Sequence, residues 1–196
     1  MTTNKESMII VGNGTSLLNA SNGSKIDAFK NVVRFNAFAI KGYENFVGTK
    51  TTHLYYVNHS YEKRAEEIKN VYVHSWDRES KCPVYKAHKH LDNVQKVPFD
   101  FVQGVIKKIK GVIPSTGLIA IYHQLQWHDE LTLTGFDWWD TEKHHYFGPK
   151  DFRGPNHKPS VEKELITGLI KKNKLKFLLM KPIGKNLLIK IIEEEI

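Results

Sequence analysis

The 196-residue chain predicts a single α/β domain: a mostly parallel sheet with helices on both faces. Two observations lead there. Short apolar runs of strand length recur between stretches of helical spacing, and turn residues fall at the carboxyl ends of those runs. A hydrophobic fraction of 40%, with eight tyrosines, ten phenylalanines and four tryptophans, can fill one core at this length. No repeat or low-complexity tract divides residues 1–196.

Met8 to Val11 is an apolar strand closed by the turn Gly12-Asn13-Gly14. Ser16 to Asn19 opens a short helix before a second turn at Asn22-Gly23. Val32-Val33-Arg34-Phe35, His53 to Val57 and Val71 to His74 read as three further strands. Ser60 to Asn70 is charged and starts on a serine suited to N-capping, so it reads as a helix. Residues 76–96 are polar without clean periodicity and are expected to form a mobile or binding segment. Phe99, Val102, Val105, Ile106 and Ile109 share one helical face of Phe99 to Lys110. Ser115 to Gln126 follows as a helix capped by Ser115 or Thr116, and Leu131 to Thr134 alternates as a strand into Gly135. Ser160 to Lys171 is a helix with Ser160 as its expected cap. Lys174 to Met180 is a last strand, and Asn186 to Glu195 an amphipathic terminal helix.

The formal charge of +8 and a pI near 9.4 favour anionic partners: nucleic acid, nucleotide phosphate, acidic glycan or anionic lipid. Lys107-Lys108-Ile109-Lys110 and Lys171-Lys172-Asn173-Lys174 read as solvated helix faces. Neither a nucleic-acid recognition motif nor an interleaved aromatic-basic stripe is present, so no specific nucleic-acid partner is expected. Cys82 has no partner for an intrachain disulfide, and Met1 to Ser7 is polar. No run approaches the roughly 20 apolar residues of a membrane span. The expectation is a cytoplasmic protein, peripheral at most to the inner face of a membrane through its basic surface.

Val11-Gly12-Asn13-Gly14-Thr15-Ser16 places a glycine turn between a strand and a helix start, where backbone N–H groups suit a phosphate. Ordinary strand-to-helix turns use the same residues. It is neither a Walker loop nor a G-x-G-x-x-G turn, since position 17 is leucine. Pro114-Ser115-Thr116-Gly117 brings two hydroxyls and a glycine to a helix start, where anion binding and plain capping both fit. His144-His145-Tyr146-Phe147-Gly148 and His157, five residues before Glu162, bring histidines to a Pro/Gly-rich connection. Histidine there suits proton transfer to or from a hydroxyl or phosphate. Zinc at these histidines is the competing reading, with Cys82, His88 and His90 as other possible ligands, but their spacing matches no zinc pattern. An Asp-x-Asp triplet for a divalent metal is also absent.

Taken in order, these segments resemble the sialyltransferase family with large, small, third and very-small motifs (glycosyltransferase family 29 type). Val11 to Thr52 resembles the large motif, through Val11-Gly12-Asn13, Val32 to Asn36 and Val47 to Thr52. Pro114 to Asp137 resembles the small motif, His145 to Gly148 the third, and His157 with Glu162 the very-small. The resemblance implies a Rossmann-like, GT-A-like variant fold and an inverting, metal-independent transfer. The donor would be a CMP-sugar carrying sialic acid or a related nonulosonic or Kdo-type sugar, and the acceptor a glycan or glycolipid. No cofactor is implied beyond that co-substrate. By resemblance, Asn13 and Asn36 would contact the donor's phosphate and its ribose or base, with Gly14, Ser16 and Tyr146 also on the donor. Ser115, Thr116 and Gly117 would bind the cytidine and the sugar carboxylate. His145 would face the phosphate, His157 would be the general base, and Glu162 would support its loop.

The sequence departs from that pattern in two ways. The cysteines that pair between the large and small motifs of animal members are missing. Gly14-Thr15-Ser16 also replaces the usual Ser-Gly-Asn, and Gly-Asn-Gly-x-Ser-Leu is instead similar to the turn of a separate bacterial sialyltransferase family. A catalytically degenerate CMP-binding module is the alternative that the altered turn raises.

Overall fold

The computed structural model describes residues 6–57, 62–76, 86, 89–138, 140, 143–148 and 157–178. Seven strands form one sheet: β1 (Met8–Val11), β2 (Asn31–Phe35), β3 (His53–Tyr56), β4 (Asn70–Val73), β5 (Val94–Lys96), β6 (Leu131–Thr134) and β7 (Leu175–Phe177). Their spatial order is β5-β4-β3-β2-β1-β6-β7, and each of the neighbouring pairs is parallel. Parallel strands are covered on both faces and so read as unbroken apolar runs. β1, β3 and β6 are accordingly buried at every position.

The alternation of side chains divides the core. Ile10, Val33, Tyr55 and Leu133 face a layer made by α4 (Phe99–Lys108), α5 (Thr116–Gln124) and α6 (Pro159–Lys171). Ile9, Val11, Val32, Leu54 and Tyr56 face the other layer. That layer holds a 3-10 turn at Thr15–Asn19, α1 (Gly23–Asp27), α2 (Glu44–Val47) and α3 (Glu62–Glu67). Apart from Tyr122, every residue of α5 is buried, as suits a helix apolar nearly all round.

The chain builds outward from β1 to β5 and then crosses back, so β6 pairs with β1 on its other side. The order reverses at β1 and β6, and a crevice opens beyond the carboxyl ends of strands at such a point. The two strand ends come very close. A Cβ on Gly12 would lie 2.1 Å from the Gly135 carbonyl oxygen. Gly12 N donates to Thr134 O at 2.8 Å and Gly14 N to Gly135 O at 2.9 Å, and Gly135 itself sits at φ 71°.

Arg34 lies on β2 and is 1% exposed. Its guanidinium donates to the carbonyls of Val47, Gly48 and Lys50 and to the Thr51 hydroxyl. It thereby ties the loop between α2 and β3 to the sheet. Burial draws its pKa down to about 10, which leaves it charged at neutral pH.

Several expectations are corrected. Residues 94–96 form an edge strand inside the segment read as non-periodic, pairing with β4 through Val71↔Val94. The rest of that segment lies largely outside the described residues. Ser160 does not cap α6: Lys158 is the N-cap residue and Pro159 takes the first turn, where its missing N–H costs nothing. The turn expected at Asn22-Gly23 leads into the one-turn helix α1, and a second one-turn helix, α2, follows Tyr43. Ser60 and the helix expected at 186–195 lie outside the described residues. Among the described residues no helix is long and apolar enough to cross a membrane.

Among the described residues three histidines are buried in this frame. His53 stacks on Tyr72, 6.2 Å between ring centroids. The Tyr55 hydroxyl accepts from Gln124 Nε2 at 2.7 Å and shares a second hydrogen bond with His123 Nδ1 at 2.6 Å. His74 is 1% exposed. Burial pulls His53 and His123 down to about 4 and His74 down to about 3. The folded chain therefore stays neutral at these rings where the unfolded chain, with its ordinary value near 6.5, takes up protons. Stability from this source is full above pH 6.5 and is lost as pH falls toward 4. Glu162, raised by burial, works in the opposite direction as one group against three. The expected melting temperature at pH 5 is roughly 5–10 °C below that at pH 7.5, by thermal unfolding monitored with circular dichroism. Gly12→Ala is expected to cost about 2 kcal/mol or more in urea unfolding, because the added methyl meets backbone that cannot retreat.

Candidate active site

A cleft opens where the strand order reverses. Gly12, Asn13 and Gly14 line it from the end of β1, and Phe35 from the end of β2. Gly135, Phe136, Asp137 and Trp138 line it from the end of β6. Ser115 and Gly117 add the start of α5, Pro159 and Glu162 the start of α6, and His144 and His157 complete it.

Each wall is held by a carboxylate. Glu162, 8% exposed, accepts from Ser115 N and from Ser115 Oγ, both at 2.6 Å. The same hydroxyl accepts from Leu118 N at 3.1 Å, so Ser115 caps α5 while donating to Glu162. Burial raises the Glu162 pKa, with the Ser115 hydrogen bonds opposing. Asp137 lies across the glycine turn. It accepts from Ser16 N at 2.8 Å, from Thr15 Oγ1 at 3.4 Å and from Ser16 Oγ. A Cβ at Gly14 would meet that carboxylate at 2.3 Å. The anion on this turn is therefore the protein's own.

The other anticipated residues fall into distinct places. The Asn13 amide donates to Ala37 O at 2.9 Å, locking the end of β1 to the loop after β2. Asn36 takes a left-handed conformation, φ 52°, and its Nδ2 donates to Thr116 Oγ1 at 3.1 Å. Thr116 is itself buried, between the cleft-lining Ser115 and Gly117. A side chain at Gly117 would press on the Phe35 ring at 3.0 Å. His157 Nδ1 lies 3.0 Å from Ile113 O. A carbonyl only accepts, so Nδ1 carries the proton and the imidazole lone pair sits on Nε2.

Two residues of the third motif are placed differently from the expectation. Tyr146 is 1% exposed, packed edge-on against Tyr43, and its hydroxyl donates to Ala39 O and accepts from Ala39 N. It anchors the loop after β2 and does not line the cleft. His144 is the histidine on the cleft wall, while His145 is sandwiched between His144 and Phe147, at 4.2 and 5.1 Å.

Three positions escaped the sequence reading. Asp137 was visible only as part of a turn at a strand end. His74 closes a strand at the same sheet edge, which is the one signal that could have pointed to it. Trp138 lines the cleft at φ 47°, an uncommon conformation for a bulky residue, with its indole N–H unpaired among the described residues. Among those residues no group of three or more His, Cys, Asp or Glu could hold a metal ion. Cys82 and His88 lie outside them, and His90 is exposed.

Comparison with known proteins matches this architecture. The chain is 28% identical to CMP-N-acetylneuraminate-beta-galactosamide-alpha-2,3-sialyltransferase 1 of Gallus gallus over 146 residues, 65% of this chain and 43% of that protein. A 44-residue stretch is 57% identical to the CMP-N-acetylneuraminate-beta-1,4-galactoside alpha-2,3-sialyltransferase of Homo sapiens, covering 22% of this chain and 12% of that one. The chain thus spans less than half the length of these relatives. In fold it resembles a mammalian sialyltransferase crystal structure with a TM-score of 0.72 at 22% identity, covering 88% of this chain and 68% of that one. CstII from Campylobacter jejuni, solved with cytidine-5'-monophosphate, gives 0.65 at 17% identity, covering 93% and 83%. The model of glycosyltransferase family 29 (sialyltransferase) matches residues 3–82 and 69–174, taking in every strand but the last, and the chain belongs to that family.

Proposed function

We propose that the chain moves sialic acid, or a related nonulosonic or Kdo-type acidic sugar, from a CMP-activated donor to a hydroxyl of a glycan or glycolipid. The single observation that carries this reading is His157. Its Nδ1–H is held by Ile113 O, which presents Nε2 as a base in the wall of the family's switch-point cleft.

The chemistry follows from those positions. Nε2 of His157 takes the proton of the acceptor hydroxyl as its oxygen attacks the anomeric carbon. The bond to the phosphate breaks on the opposite face, so one displacement inverts that centre. Charge grows on the departing CMP phosphate. The N-terminus of α5 at Ser115 to Gly117 and the stacked His144-His145 pair are the groups suited to stabilise it, with no metal in the scheme. Asn13 and Asn36, at the ends of β1 and β2, are where the nucleotide would be held. The charge of +8 suits an anionic donor and peripheral contact with an anionic membrane on the cytoplasmic side.

One observation favours a second reading. The hydroxyls of Ser16 and Ser115, both anticipated on the donor, are occupied by Asp137 and Glu162. A module that binds CMP without turnover would tolerate that arrangement. Release of CMP from CMP-sialic acid, followed by chromatography with and without glycan acceptors, separates the two: any catalysed release excludes the inert module.

For the enzyme, His157→Ala is expected to lower transfer by about a hundred- to ten-thousand-fold while CMP affinity is kept. Undiminished transfer in that variant would remove His157 as the base. In a thermal-shift series, CMP and CDP are expected to raise the melting temperature where UMP, UDP and GDP do not; a preference for UDP would overturn the donor assignment.

A further inference from the structure

Beneath the cleft, the half-buried Asn36 and the buried Thr116 and His74 form a chain of polar contacts across three elements. Asn36, just past β2, donates from Nδ2 to Thr116 Oγ1 at 3.1 Å. Thr116, in the first turn of α5, lies 3.2 Å by the same oxygen from His74 Nε2, just past β4. Among the described residues both outer ends are open: the buried atoms Asn36 Oδ1 and His74 Nδ1 have no hydrogen-bond partner there. Thr116 Oγ1 has one proton to give and already accepts from Asn36, so His74 Nε2 completes it as acceptor or second donor. Either tautomer leaves Nδ1 unpaired.

Buried polar atoms without partners cost stability, and native chains hold few of them. Two on one network, with Asn36 also in a left-handed conformation, mark a place where structure is held against its local preference. The network adjoins the cleft on two sides, since Phe35 precedes Asn36 and Ser115 and Gly117 flank Thr116. His74 is fixed there by an edge-on contact with Trp76, 5.4 Å between centroids, and the Trp76 backbone oxygen accepts from Gln103 at 2.9 Å.

We propose that His74 is a positioning residue for the nucleotide donor, holding the Thr116 hydroxyl so that the Asn36 amide is set to meet a hydrogen-bond donor of the nucleotide. This rests on the CMP-donor reading above. Burial keeps the imidazole neutral, which lets it serve as a fixed hydrogen-bonding wedge through the working pH range. On binding, a ribose hydroxyl or an exocyclic amine of the nucleotide would donate to Asn36 Oδ1 and remove one of the two open positions.

The test is calorimetric titration of CMP into the wild-type chain and four variants, with melting temperature as the check on folding. His74→Phe and Thr116→Val are each expected to weaken CMP binding roughly tenfold, the scale of one lost hydrogen bond in a desolvated site. His74→Gln, whose amide can again meet the Thr116 hydroxyl, is expected to recover most of that loss. The double variant His74→Phe/Thr116→Val is expected to bind no worse than Thr116→Val alone, because His74 acts through that hydroxyl. In assays of transfer, the donor KM is expected to rise in His74→Phe while the acceptor KM holds. Wild-type CMP affinity in a folded His74→Phe variant overturns the proposal and leaves the donor reading intact, as does additive loss in the double variant. No CMP binding by the wild-type chain overturns both. Should His74→Phe not fold, Thr116→Val decides: unchanged CMP affinity there overturns the proposal.

Discussion

The backbone contact between Gly12 and Gly135 is the constraint on which the rest of the molecule depends. β1 and β6 pair at the point where strand order reverses, and their ends converge until no Cβ fits between them. That convergence sets both turns side by side, Gly12-Asn13-Gly14 and Gly135-Phe136-Asp137. It also brings Asp137 onto the N–H of Ser16. The cleft exists because two chain segments far apart in sequence, ending at Gly12 and at Gly135, are forced to end at the same height.

Carboxylates then do within the protein what a ligand anion could do. Asp137 satisfies the helix-start donors of the first turn, and Glu162 those of the start of α5. Each ties two elements together: β6 to the turn after β1, and α6 to α5. Glu162 is buried and raised by burial, yet two hydrogen bonds from one serine hold it. The cleft walls are thereby carried on a frame rather than on free loops, with the His157 ring held to the Ile113 carbonyl. Below them, Asn36, Thr116 and His74 are joined through the Thr116 hydroxyl.

Strands and long helices were legible because their signals are local. Met8–Val11, Leu131–Thr134 and the helix beginning at Thr116 can be read from apolar runs and from one capping serine. The edge strand Val94–Lys96 was not, since only one of its residues is buried and pairing with β4 alone makes it a strand. One-turn helices at Gly23–Asp27 and Glu44–Val47 escaped for a similar reason: they rest on each other and on the loop that Arg34 organises.

The sequence alone determined the α/β class, the family's ordered motifs, and the residue types at the cleft, because periodicity and short motifs are properties of neighbouring residues. Tertiary structure alone decided which of those residues line the cleft and which are engaged by the protein itself. Ser16, Ser115 and Tyr146 share composition with binding residues, yet their hydroxyls are engaged by Asp137, Glu162 and the Ala39 backbone. Conversely, His74 carries no motif and lies more than 35 residues from either partner, but packing places it against Thr116 with one nitrogen open. Hydrogen-bond satisfaction is settled by what lies across space. A sequence names donors and acceptors, and only the fold assigns their partners.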